Sequence, residues 1–111
     1  MKNGSIAYPN KICQVDNGGL TISVKKQETR IEWSEVKSLV AFKVDKLTYD
    51  SICIQVDYGQ NRSVVALEET EGWEILVRGV KANFPSVNPT WDIDIIQPPF
   101  AENFTVLYKG D

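Results

Sequence analysis

The chain has 111 residues, 42% of them hydrophobic, with a formal net charge of −3, so one domain with a true core is expected over residues 1–111 and disorder is excluded. The acidic balance disfavours nucleic acid as a partner, because generic affinity for it comes from Lys and Arg neutralising phosphates. The chain has no histidine, which excludes Ser-His and Cys-His nucleophile pairs and leaves Cys13 and Cys53 too few for a structural zinc site.

In chain order, "MKNGSIAYPN" reads as a loose lead-in without the apolar stretch of a signal peptide. "KICQV" is a short apolar run, and "DNGG" at 16–19 is a hairpin signal made of residues that tolerate positive φ. "LTISV" alternates strictly, with Leu20, Ile22 and Val24 on one side, as a half-buried strand does. After the polar turn "KKQE", "TRIEW" resumes the alternation, "SEVKS" interrupts it as a polar corner, and "LVAFKV" restarts it. Trp33 then ends a strand and plugs one end of the core.

"ICIQVDY" is the cleanest strand, with Ile52, Ile54, Val56 and Tyr58 on one face, and "SVVALE" returns after "GQNR". The cysteines lie in such apolar runs and read as small core residues rather than a disulfide. Short polar links between about six strands predict antiparallel pairing, since a parallel neighbour needs a long crossover.

The period changes at 71–84. Trp73, Leu76, Val77, Val80 and Phe84 recur at three- and four-residue steps, an apolar helix stripe. Thr70 is the expected N-cap, Glu71 and Glu74 suit the positive end of the helix, and Pro85 stops it. Gly79 costs about 1 kcal/mol against Ala in a helix, which close approach to the sheet would justify. Beyond it, residues 91–96 ("WDIDII") and 103–108 are expected to be extended, with Trp91, Ile93 and Ile95 on one face. No run approaches the ~20 apolar residues of a membrane span, and a cytoplasmic protein is the expectation.

The order "LTISVKKQETRIEWSEVKSLVAFKVD", with its I-x-W-x-E-V corner, followed by "EGWEILVRGVKANFP" resembles the small bacterial pleckstrin-homology-like (PH-like, GRAM-like) domains over residues 11–85. The resemblance implies an α+β fold, mainly antiparallel: a curved sheet or partial barrel of about six to seven strands, closed by one amphipathic helix. This chain adds the extended tail. Lipid binders, peptide binders and scaffolds share that superfold, so it does not settle function.

No motif carries catalysis, no cofactor is implied, and no metal site is expected. Asp92 and Asp94 would share a strand face with Cα atoms ~6.5–7 Å apart, able to hold a cation or contact a partner; the simpler reading is a solvated strand face. The acidic run Glu68, Glu69, Glu71 and Glu74 complements a helix N-terminus. PH-like lipid binders place basic residues around the loop joining their first strands, and by that resemblance Lys25, Lys26 and Arg30 are headgroup candidates. Gln27 and Glu28 dilute them, and a solvated hairpin tip is the simpler reading. Phe100, after two prolines, is a candidate apolar knob for a partner, against simple local packing.

The preferred expectation is a non-enzymatic interaction module that recognises a protein partner or self-associates through a sheet edge or the tail. Size and acidity suggest an immunity-type inhibitor of a basic protein. The alternative is a peripheral membrane domain that binds anionic lipid headgroups.

Overall fold

The computed structural model describes residues 5–99 and 101–110. Eight strands appear: β1 (Ser5–Ala7), β2 (Lys11–Val15), β3 (Gly19–Val24), β4 (Gln27–Glu32), β5 (Val36–Asp45), β6 (Asp50–Tyr58), β7 (Arg62–Leu67) and β8 (Thr105–Lys109). The helices are α1 (Trp73–Asn83) and the short α2 (Trp91–Asp94), and a 3-10 turn spans Trp33–Glu35. The fold is α+β with mostly antiparallel strands. They form two sheets, in the orders β1-β7-β6-β5-β8 and β2-β3-β4, and not one closed barrel.

The corner at "WSEV" decides this division. Glu32 and Glu35 reciprocally cap the 3-10 turn, and the chain leaves β4 in one sheet and enters β5 in the other. Between the sheets lie Leu20, Ile22 and Ile31 from one side and Leu39, Ala41, Ile54, Val56 and Val64 from the other. Leu76, Val77 and Val80 of α1 enter the same core. Helix and strands thus bury the stripes that the two periodicities predict.

Asp16 ties this arrangement together. Its carboxylate accepts hydrogen bonds from the Gly18 and Gly19 amides (2.9 and 3.1 Å) and from both terminal nitrogens of Arg30 (3.0 and 2.8 Å). Its carbonyl accepts from the Trp33 indole N–H at 2.9 Å and the Asn83 amide at 3.4 Å. One residue thereby joins a turn, β4, the corner and α1. Trp33 meets Phe84 edge-on, with centroids 5.3 Å apart, and packs half-buried against the core, as a plug does.

Five expectations need correction. The lead-in contains β1, which pairs parallel with β7. A parallel partner is possible because the chain between them is long. The helix N-cap is Gly72, not Thr70: Gly72 has φ 88°, and a Cβ there would sit 2.4 Å from the Ile12 carbonyl. The Thr70 hydroxyl accepts instead from the Leu67 amide.

The "DNGG" turn is a hairpin, but its geometry comes from the Asp16 side chain; the positive φ values fall at Lys25 (51°) and Lys26 (69°) of the next hairpin. Residues 91–94 are helical, and Trp91 and Ile95, four apart, enter the core while Ile93 faces out. An apolar residue at every second position suited a strand, but the i, i+4 pair won. Of the tail, only 105–109 is a strand, on the free edge of β5.

Two measurements test this account. A Cβ on Gly79 would lie 2.2 Å from Val15 Cγ1, and a β-branched neighbour cannot swing away cheaply. Gly79→Ala is therefore expected to lower unfolding free energy by about 1–3 kcal/mol in urea titration, despite the better helix propensity of Ala. The Asp16 carboxyl is held at about 2, below its usual 3.8, first by the Arg30 hydrogen bond and then by the Gly18 amide. A depressed carboxyl stabilises the fold above its unfolded value and stops doing so as pH falls through the folded value. The stability gap between wild type and Asp16→Asn is expected to be constant above about pH 4 and to shrink toward pH 2; a gap that does not change would contradict this role.

Candidate functional site: the outer face of the five-stranded sheet

β5 and β7 carry apolar side chains on both faces, while β6 between them turns Ser51, Cys53, Gln55 and Asp57 outward. One face builds the core; the other looks away from α1 and from the second sheet. The ladder registers sort its outward side chains into four rows. Val44 and Ser51 form the first, and the Ser51 hydroxyl donates to Glu69 at 2.7 Å. Phe104, Phe42, Cys53 and Leu67 form the second, with Phe104 stacked on Phe42 at 5.2 Å. Val106, Val40, Gln55 and Val65 form the third. Lys109, Ser38, Asp57, Ser63 and Ile6 form the fourth.

Two apolar rows therefore lie between two polar rims. Phe104 is 62% exposed, Val106 64% and Ile6 57%. Among the described residues no helix or sheet packs across this surface. An antiparallel sheet with one solvated face normally alternates apolar and polar, and near-continuous apolar runs mark strands covered on both sides. "LVAF" and "VVAL" are runs of the second kind.

The lower rim is a closed polar network. The Asp57 carboxylate accepts from the hydroxyls of Ser38 and Ser63, each at 2.5 Å, and from the Gln55 amide at 2.9 Å. Burial alone would raise its pKa, but these three donors together hold it below the ordinary value. At the upper rim burial also opposes ionisation of Glu69, and the Ser51 hydroxyl, with help from Tyr49 and Lys46, holds its carboxyl low. Cys53 is the buried centre of the face. Burial pushes its thiol up to about 11, so it is apolar filler and not a nucleophile.

The residues singled out from sequence do not assemble elsewhere into a site. Asp92 and Asp94 diverge on α2: Asp92 accepts from Lys81 at 2.8 Å, and Asp94 from Asn88 and Thr90 at 3.1 and 3.0 Å. The strand-face pair is lost because the segment is helical. Lys25 and Lys26 are the exposed tip of the β3–β4 hairpin, while Arg30 sits within β4 with its guanidinium engaged by Asp16 and Glu32. Phe100 lies outside the described residues. Among the described residues, no three His, Cys, Asp or Glu side chains are grouped to hold a metal ion, and no helix is long and apolar enough to cross a membrane.

Two concavities flank the tail. One, of about 340 Å³, is lined by Lys43, Asp50, Ile52, Glu68 and Ile96. Lys43, 3% exposed, donates to the carbonyls of Ile96 and Pro98 at 2.8 and 2.6 Å and lies 3.5 Å from the Asp50 carboxylate. Its donors are spent on fastening the tail to the open end of the core. The other, of about 440 Å³, is lined by Asn88, Trp91, Asp94, Asn103 and Thr105. Asp94 and Asn103 are occupied internally, and the lone indole N–H of Trp91 selects no ligand class. Neither rivals the sheet face.

Compared with known proteins, the chain matches no family model, no curated protein and no solved structure.

Thiol reactivity checks the packing of this face. With Ellman's reagent at pH 8, the folded protein is expected to release one equivalent, from half-buried Cys13, and the second only on unfolding. Rapid release of both would show Cys53 unprotected.

Proposed function

We propose that this protein is a non-enzymatic, PH-like interaction module of the bacterial cytoplasm, and that the outer face of its five-stranded sheet is where a protein partner docks. Three strands, a corner, three strands and a closing helix support the PH-like assignment. One observation carries the docking role: two adjacent rows of apolar side chains, with exposed aromatic and aliphatic residues, framed by hydrogen-bonded polar rims. A large apolar patch rimmed by polar groups is the usual anatomy of a protein interface. The pre-ordered rim lowers the entropic cost of docking, because Ser38, Ser63 and Gln55 are already held by Asp57.

Chemistry favours binding over catalysis. The Asp57 carboxyl is shifted down, which makes it a poorer base near neutral pH. The headgroup alternative keeps Lys25 and Lys26 but not Arg30, whose charge Asp16 and Glu32 already neutralise. An immunity-type inhibitor of a basic protein would need an acid-dominated surface. Here each rim couples a carboxylate with a lysine, Asp57 with Lys109 in its row and Glu69 with Lys46.

Site-specific photo-cross-linking in the native host tests the reading. A benzophenone side chain replacing Val106 is expected to give a discrete adduct, while one replacing Gln27, exposed on the other sheet, gives none. Equal or absent labelling at the two positions would refute a docking role for this face.

A further inference from the structure

Resting on that reading, we infer that the occupant of the outer sheet face is a second copy of this chain, and that two such sheets stack face to face about a two-fold axis. Three features of the face point to itself. The first is size. Five strands at ~4.8 Å spacing and four rows at ~6.8 Å repeat, with side-chain overhang, offer roughly 700 Å². That is close to the ~800 Å² that each partner buries in a standard interface.

The second is charge. One rim carries Asp57 and Lys109, the other Glu69 with Lys46 near enough to lower its pKa. With Glu68 also close enough to act on Cys53, the face carries both signs and only a small acidic excess, so its own copy meets it without strong repulsion. A basic partner gains little from it, and like charges across an interface cost several kcal/mol, which disfavours strongly charged partners of either sign.

The third is shape. The central rows hold Val40, Cys53, Val65 and Leu67, modest side chains on regular ladders, together with Gln55, whose amide is already held by Asp57, and Phe42 and Phe104 stack toward the β8 edge. Regular rows interdigitate with an identical sheet at ~10 Å. A two-fold axis is the commonest closed symmetry, and it presents the same patch from both copies. The pair closes on itself, so no chain of copies grows.

Sedimentation equilibrium of the full chain over about 1–300 µM at 0.15 M salt tests this. The expected mass is twice the 12.5 kDa of one chain at the upper concentrations. The double variant Phe104→Lys, Val106→Lys changes two side chains more than 60% exposed, so it is expected to keep the wild-type circular dichroism and to sediment as a monomer. Leu47→Lys, in the β5–β6 turn, is expected to remain dimeric. A wild type that stays monomeric throughout overturns the inference, and so does a double variant that remains dimeric or a Leu47→Lys chain that dissociates as readily. A monomeric wild type that still cross-links through position 106 in cells removes only the second copy and leaves a different protein on this face. Absence of both removes the docking role as well.

Discussion

A β-strand has two faces, and a single layer of structure covers only one. β5 and β7 carry apolar residues at odd and even positions alike, and β6 between them turns Ser51, Cys53, Gln55 and Asp57 outward. The inward set, Leu39, Ala41, Ile54, Val56, Val64 and Ala66, is sealed by the three-stranded sheet and α1. The outward set is left to neighbouring side chains. Cys53 and Val65 are buried by them, while Phe104 and Val106 at the edge remain open. On the outward side Ser51 and Cys53 of β6 are buried, Gln55 and Asp57 half-buried, and the β8 edge is open.

The division into two sheets rests on a polar feature. Asp16 accepts through its side chain from a turn and from Arg30, and through its carbonyl from Trp33 and Asn83. Those bonds satisfy groups that would otherwise sit half-desolvated where β4, the corner and the helix converge. Gly79 completes the junction by letting α1 rest directly on Val15. The other end of the sandwich is closed differently. Lys43 reaches inward along its apolar stem and grips the carbonyls of Ile96 and Pro98, so the tail after α2 lids the core through a buried charge that has found acceptors.

The charged candidates singled out in sequence were Lys25, Lys26, Arg30, Asp92 and Asp94; Phe100, the uncharged one, lies outside the described residues. Three of them are held by interactions within the fold. Arg30 completes the Asp16 cluster, Asp92 answers Lys81, and Asp94 closes an Asn88–Thr90 turn. Asp57 drew no attention as a site residue, and Glu69 was read only as part of an acidic run before the helix, because their partners lie on other strands. Ser38 and Ser63 are 19 and 6 positions away from Asp57. Only strand register brings such groups together.

Read by itself, the chain determined seven of the eight strands among the described residues, the long helix, its inward stripe and the use of Gly79, because these depend on periodicities of two and 3.6 within a dozen residues. Tertiary structure decided the rest: the parallel docking of β1 on β7, the helical turn at "WDID", the split into two sheets and which apolar face remains open. Each of those choices depends on what lies across from a segment rather than along it, and long-range pairing energy outweighs local preference wherever a short segment can adopt two shapes.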